Sequence, residues 1–573
     1  MGSRFVEGLA DDESRGGGPS SSAIRDESGS TERNLRDGDE KGSRSHSRRS
    51  MFTNAASATD KEHRMTLLSG IRLYPKAIFW SMLISSLCAM EGYDVSLVGN
   101  FYAFPPFNQQ FGELQPGPAG GYQVPARWQT GLSVGAQGGQ IVGLIINGFL
   151  TERIGYRKVI LVSLLWLTAV TALFFRAQNL GMLLAAEILA GVPWGVFQAI
   201  AISYAAEVCP VALRGYLTTW ANSCWGWGQI IGIAVIRSQF GRTDDWAWRL
   251  PYALMWMWYP PLLLGVYLAP ESPWWLVRVG KIDEARHSLS RLTSSGRDIE
   301  YDVDETVDMI RHTTELEREA HTGASYADCF RGTNLRRTLL VCGIWATQNF
   351  SGNTFSNYST YFFEQAGLGG TAAYDFALGQ YGINTVGVFG AWALMSAGIG
   401  RRTLFVYGLC GLCVTLMIIG FVGIARGRVE DRTVGLVTGS LMLLWATIYQ
   451  ITVGTIAFSL VAEMSTRRLQ VKTIALGRAS YNVAAIIVNV LTPYMINPTA
   501  WNWRNYAGFF WAGTCFLCII FAYYCVPEPS GRSFAELDLL FERKVPARDF
   551  AKTEVDVFAE GEGKVRRGRE LEG

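Results

Sequence analysis

Twelve apolar runs, each near the length a helix needs to cross a hydrocarbon core of about 30 Å, constrain this chain more than any other feature. They cover approximately residues 77–104, 128–150, 159–176, 180–206, 215–237, 249–269, 338–362, 375–396, 402–424, 433–462, 471–496 and 506–526. Lipid offers the backbone no hydrogen-bond partners, so runs of this length must become helices or a closed barrel, and continuous apolar runs select helices. The pattern predicts an all-α membrane protein with twelve transmembrane helices. A charged segment, residues 270–336, separates the sixth run from the seventh and holds amphipathic stretches such as Ile282 to Leu292. It divides the chain into two six-helix halves, residues 66–269 and 337–526. That is the layout of a two-halved transporter whose site lies near the midplane between the halves.

Residues 1–65 are rich in Ser, Gly, Arg, Asp and Glu, too polar to bury a core, so they are expected to form a disordered tail. Residues 527–573 form a second tail. The first apolar run is too long for a signal peptide and lacks a small-residue cleavage pattern. An even number of crossings puts both termini and the middle segment on one side. Lys and Arg are nearly balanced between the alternate short loops. Lys61, Arg64, Arg72 and Lys76 before the first run, with Arg278, Lys281, Arg286, Arg331, Arg336 and Arg337 around the sixth and seventh, break the tie and make that side cytoplasmic. The expected location is the cell membrane, multi-pass, with both termini in the cytoplasm.

Several function classes drop out. The net charge is +2 and no basic stripe is interleaved with exposed aromatics, so no nucleic-acid partner is expected. Most of the ten cysteines lie inside apolar runs. The pairs Cys410/Cys413 and Cys515/Cys518 have zinc-like spacing, but no His or acid stands near them, and they read as small apolar residues. All five histidines fall in the tail or the middle segment. No metal, haem or other cofactor is expected. No nucleophile–base set or phosphate loop appears, which argues against an enzyme.

The carboxylates inside the runs carry the chemistry. Glu91 and Asp94 are three residues apart in the first run and share one helical face. A charge at the bilayer centre costs roughly 2.5–3.5 kcal/mol on insertion scales. They must face protein or water, which marks an ion or substrate path, unless both sit solvated at the headgroup level. Glu187 lies in a third costly place, inside the run Gly181 to Ile202. It either joins Glu91 and Asp94 in a protonatable acidic cluster or makes a structural pair with a basic residue. Arg478 has no acid beside it in the eleventh run. It is either the counter-ion of that cluster or a snorkelling cation near the helix end, Lys472 being six residues away.

The loop motifs name a family. Gly148 to Lys158, containing Glu152, Arg153, Gly155 and Arg157, resembles the G-x-x-x-D-R-x-G-R-R signature of the major facilitator superfamily, with Glu for Asp. Ala397 to Arg402 keeps Gly-Arg-Arg, through Arg401 and Arg402, but has no acid, so the second copy of that gate is weakened. Pro270 to Leu276, with Glu271, resembles the sugar-porter motif PESPRWL. Glu207 to Gly215, with Arg214, resembles E-x-x-P-x-x-x-R-G, and Glu463 with Arg467 resembles its counterpart in the second half. Pro527 to Ser533, with Glu528 and Arg532, resembles PETKGR. The chain is identified as a member of the sugar porter family. Met90 to Asp94, Gly191 to Gly195, Tyr204 to Pro210 and Leu491 to Met495 resemble the fungal maltose-permease-like branch of α-glucoside/proton symporters.

The resemblance implies proton-coupled transport of a sugar by alternating access, most closely an α-glucoside such as maltose, by a monomer in a lipid bilayer. Proton coupling is expected at Glu91, Asp94, Glu187 and Arg478. The acid–Arg pairs would sit at cytoplasmic helix ends and latch the halves. Relatives often carry Arg where Glu187 stands, and this branch can carry an acid where Gln140 stands. Sugar recognition needs neutral donors and acceptors beside aromatic faces. Where the family places its pocket, the chain supplies Asn222, Gln229, Gln348, Asn349, Asn353, Tyr358, Phe458, Tyr481 and Asn482. Phe458 replaces a family Trp and keeps the apolar face without the indole donor. Another cargo for the same fold, including an exported metabolite, stays open. A non-transporting sensor is disfavoured by the short C-terminal tail.

Overall fold

Over their described residues the apolar runs are helical, and several spans begin or end at Gly, Pro or a side-chain cap. The structure, a computed structural model, describes residues 53–555 apart from 63, 102–103, 115–121, 240, 295–300, 320–324, 354–369, 425–430, 497–500, 502 and 554. The first span, Pro75–Ser85 and Leu87–Phe101, follows a short helix, Leu67–Leu73, at an 88° bend. The second to fifth spans are Ala126–Ile154, Tyr156–Phe175, Leu180–Val208 and Val211–Ser238. Gly155, at φ 86°, makes the turn from the second span to the third. Asn179 caps the fourth by accepting from the Met182 N–H at 2.8 Å.

The sixth span is broken into Trp246–Leu254 and Tyr259–Leu268 by a 3-10 turn. The seventh, Gly332–Gln348, runs into a wide turn at Asn349–Asn353, where Gly352 adopts φ 97°. The eighth and ninth are Gly370–Ser396 and Arg401–Ile424. The tenth, Asp431–Tyr449 and Thr455–Met464, is interrupted by a π turn at Gln450–Gly454. The eleventh and twelfth are Gln470–Ile496 and Ala507–Cys525. Six of these helices are long and apolar enough to cross a membrane taken singly, and the bent first pair makes a seventh.

Close approach of backbones positions the helices. A Cβ on Gly143 would lie 1.9 Å from the Val192 carbonyl oxygen, and one on Gly195 would lie 2.2 Å from that of Gln140. The second and fourth spans therefore touch backbone to backbone, as small residues allow inside membranes. Gly92 and Gly228 do the same for the first and fifth. Each half has its own apolar core, around Tyr93, Trp194 and Tyr252 in the first and around Trp345, Trp445 and Trp511 in the second. Leu165, Val386, Tyr407 and Leu517 are exposed on the outer surface, as lipid-facing positions are.

The described termini and the middle segment gather at one end of the bundle, the terminal face. The middle segment contributes Pro273–Val279, Ile282–Leu292 and Val303–Glu319. Residues 53–62, which composition assigns to the tail, are helical. Polar contacts hold them: Asn54 donates to Asp308 at 2.8 Å, and Lys61 pairs with Glu305 at 2.6 Å. The C-terminal helix Phe534–Glu542 starts with a Ser533/Glu536 capping box. Between the first two spans, Glu113–Leu114 pairs antiparallel with Tyr122–Gln123.

Candidate functional site: a polar cavity joined to buried carboxylates

A cavity of about 110 Å³ lies between the halves. Glu91, Gln198, Asn222, Trp225 and Gln229 line it from the first half. Gln348, Asn353, Gln380, Asn384, Gln450 and Arg478 line it from the second, with aromatic faces from Tyr381, Trp445, Tyr449, Phe458 and Tyr481. The two breaks bring backbone carbonyls to its wall, where Gln348 Nε2 donates to the Gly454 carbonyl at 2.9 Å. Asn222 Nδ2 donates to Thr455 Oγ1 at 3.3 Å, across the halves.

One continuous polar chain crosses this wall. Gln140 Nε2 donates to Glu91 Oε1 at 3.2 Å. Gln198 Nε2 donates to the same oxygen. Arg478 Nε donates to Gln198 Oε1 at 2.5 Å. The Arg478 guanidinium lies 4.6 Å from the Trp345 ring centroid and 4.0 Å from that of Tyr481, contacts worth about 2 kcal/mol when desolvated. Glu91 Oε2 is buried with no hydrogen-bond partner among the described residues.

The three carboxylates do not form one cluster around Arg478. Asp94 and Glu187 are both buried and neither lines the cavity. The charged neighbour of Glu187 is Asp94, and Trp194 stands beside Asp94. Arg478 belongs with Glu91, with an amide between them rather than a direct ion pair. The reason is length. The fourth span carries Glu187 and Gln198 eleven residues, about three turns, apart on one face. Glu187 therefore meets Asp94 at one level, while Gln198 meets Glu91 at another.

Six of the nine predicted sugar contacts, Asn222, Gln229, Gln348, Asn353, Phe458 and Tyr481, line the cavity. Asn349 does not, because its amide turns back to the Tyr481 carbonyl at 3.1 Å. Asn482 is buried away from it. Tyr358 lies outside the described residues. Sequence reasoning missed Gln198, Trp225, Gln380, Tyr381, Asn384, Trp445, Tyr449 and Gln450.

The terminal face repeats itself in the two halves. Glu271 accepts from the Tyr156 and Arg157 N–H groups at 3.1 and 3.2 Å, capping the third span. Glu528 accepts from those of Arg401 and Arg402 at 3.0 and 2.9 Å, capping the ninth. Burial pushes the Glu271 carboxyl up, against the N–H groups that favour its charge. Arg157 and Arg402 each reach a carbonyl of the last span of their half, at Val266 and Tyr523. Arg153 is exposed, and Arg532 bonds the Thr553 carbonyl at 2.8 Å.

The expected acid–Arg pairs are exchanged. Glu207 pairs with Arg278 at 2.9 Å and accepts from Ser272, while Glu463 pairs with Arg401. Arg214 and Arg467 instead both lie over one ring, their guanidinium carbons 3.9 and 3.5 Å from the Phe534 centroid. Glu463 thus supplies the acid that the second loop lacks. Glu152 reaches across the halves to Lys472 at 2.5 Å, and Arg467 reaches across to the Ala206 carbonyl at 2.9 Å.

Twelve helices in two repeated halves, with a polar cavity between them and matched caps at one face, define a membrane-spanning transporter of the major facilitator fold. The family described as "Sugar (and other) transporter" matches residues 80–541, and the chain belongs to that family. It is 40% identical over 511 residues to a general alpha-glucoside permease of Saccharomyces cerevisiae, covering 88% of this chain and 82% of that protein. It is 38% identical over 509 residues to a maltose permease of Saccharomyces cerevisiae, covering 88% and 82%. A solved proton:xylose symporter bound to 6-bromo-6-deoxy-D-glucose shares the fold at a TM-score of 0.70 and 20% identity, over 82% of this chain and 100% of that one. A partially occluded inward-open xylose transporter from E. coli matches at 0.60 and 20% identity, over 80% and 99%.

Proposed function

We propose that this protein is a proton-coupled symporter that carries an α-glucoside such as maltose across the cell membrane, as a monomer, with both termini and the middle segment in the cytoplasm. The observation that carries the reading is the polar chain from buried Glu91 through Gln198 to Arg478 at the wall of an amide- and aromatic-lined cavity. Neutral amides suit sugar hydroxyls, and the rings of Tyr449, Phe458 and Tyr481 suit the apolar face of a pyranose. The names of the yeast relatives support an α-glucoside as cargo.

The terminal face is sealed in this conformation by Glu152–Lys472 and by Arg467 on the Ala206 carbonyl. The cavity, about 110 Å³, is well below the several hundred Å³ usual for a small-molecule site. The halves must part to admit a disaccharide, which is the motion alternating access requires. Protons bound at Glu91, and at the Asp94–Glu187 pair, would accompany the sugar inward and leave on the cytoplasmic side.

The test is sugar-dependent proton uptake in yeast lacking its own sugar transporters, over maltose, sucrose, trehalose and glucose, with and without an uncoupler. Maltose uptake that alkalinises the medium and collapses with uncoupler is expected. Uptake of none of these sugars would sink the cargo assignment. If Asp94→Asn and Glu187→Gln both leave coupled uptake untouched, the buried pair has no part in coupling.

A further inference from the structure

We infer that Gln198 is the coupling residue of this transporter, a positioning residue that transmits the protonation of Glu91 to the orientation of Arg478 at the sugar cavity. The inference rests on the proposed symport. Its basis is the polarity of a primary amide, which has one donating end and one accepting end. Gln198 spends Nε2 on the Glu91 carboxylate and Oε1 on the Arg478 Nε–H. Turned over, the amide would set N–H against N–H at Arg478 and oxygen against oxygen at Glu91. Its two neighbours therefore fix its direction jointly, and a change at one is felt at the other.

The surroundings make that link the available route. From its own span Glu91 is faced by Asp94 and Cys88, and from the eleventh by Arg478 and Tyr481. Gln140 of the second span, Gln198 of the fourth and Trp225 of the fifth are neutral. Arg478 is the cation among these neighbours, and no direct ion pair joins it to Glu91 among the described residues. Its Nε is held by Gln198 and its face by Trp345 and Tyr481. Its Nη nitrogens make no hydrogen bond to the described residues, and the side chain lines the cavity, so they are free to donate to a sugar oxygen. A proton on Glu91 removes the charge that the Gln198 N–H is aimed at. The amide then loosens, and Arg478 gains or loses its alignment with the sugar.

The experiment uses the full chain reconstituted in liposomes, with maltose as the probe. Three readouts are taken: maltose accumulation driven by an imposed proton gradient, maltose counterflow without a gradient, and the pH dependence of KM. In the wild type, KM for maltose is expected to change by about tenfold between roughly pH 5.5 and 7.5, within the usual span of coupling between two sites. Gln198→Met keeps the length of the side chain without its polarity, and Gln198→Glu, when ionised, can accept from Arg478 but cannot donate to Glu91. Both are expected to carry out counterflow with a raised KM and to lose accumulation, and Gln198→Met is expected to show a flat KM against pH. A variant with the wild-type pH dependence of KM overturns the inference alone. Loss of counterflow in correctly inserted protein makes Gln198 an ordinary binding or structural residue and also overturns it. A wild type that never accumulates maltose under a proton gradient overturns the symport reading, and the inference falls with it.

Discussion

Asn222 and Asn349 show what a residue's type can and cannot reveal. Both are amides in spans that face the other half, and both suit a sugar. Asn222 lines the cavity with a modest bond to Thr455, whereas Asn349 is committed to the Tyr481 carbonyl. Asn222→Ala is expected to raise KM for the transported sugar with little change in thermal stability. Asn349→Ala is expected to leave KM near the wild type and to cost about 1 kcal/mol of stability, the net worth of one hydrogen bond. Substrate kinetics beside a detergent melting curve separates the two; a raised KM for Asn349→Ala would refute its structural role. The buried acids were legible because a carboxylate in an apolar run is costly wherever it points. Gln198 sits in the same run as Glu187, but a neutral amide costs less to bury and so signals less. Partner choice was not legible at all. Glu207 lies seven residues from Arg214 in sequence yet pairs with Arg278, because the middle segment folds back over the helix end.

At the scale of elements, the spans were readable from their apolar length, and their functions come from where they depart from it. The seventh and tenth spans break beside the cavity, at Gly352 and at Gln450–Gly454. Periodicity could not show those breaks, since the apolar run continues through them. At Gly352, φ is 97° and a Cβ would sit 3.1 Å from a Leu416 methyl. Gly352→Ala is therefore expected to cost about 1–2 kcal/mol locally and to lower the transport rate while the protein still reaches the membrane. Gly143 is different, because the obstacle is the Val192 backbone itself at 1.9 Å. Gly143→Leu would drive the second and fourth spans apart, and backbone cannot step aside as a flexible side chain can. No folded protein in the membrane is the expected result; a normal yield of folded Gly143→Leu would contradict the helix contact.

For the whole molecule, the two halves repeat one design with one exchange. Glu271 and Glu528 cap equivalent helices, and Arg157 and Arg402 occupy equivalent places. Arg401 pairs with Glu463 in the second half, but Tyr156 stands at the equivalent position in the first, and Glu207 takes Arg278 instead. The seal between halves includes Glu152–Lys472, the direct ion pair between the second and eleventh spans. Lys472 is 1% exposed and Glu152 about a third, at 33%. Glu152→Gln leaves the ammonium buried beside Phe149 and Tyr326 without a counter-charge, and breaking such a pair costs about 3–5 kcal/mol when fully buried. That cost falls on the sealed state, since opening the face returns Lys472 to water. Glu152→Gln is expected to favour the conformation open at the terminal face by at least about tenfold. Adding Lys472→Met removes the stranded charge and should restore the seal in part, because an apolar replacement of both partners is often neutral. Cys88 lines the cavity and reports the outcome through its rate of maleimide labelling from the side of the membrane that the terminal face meets. Labelling should rise in Glu152→Gln and fall back in the double variant; equal rates in all three would show that this pair does not hold the halves together.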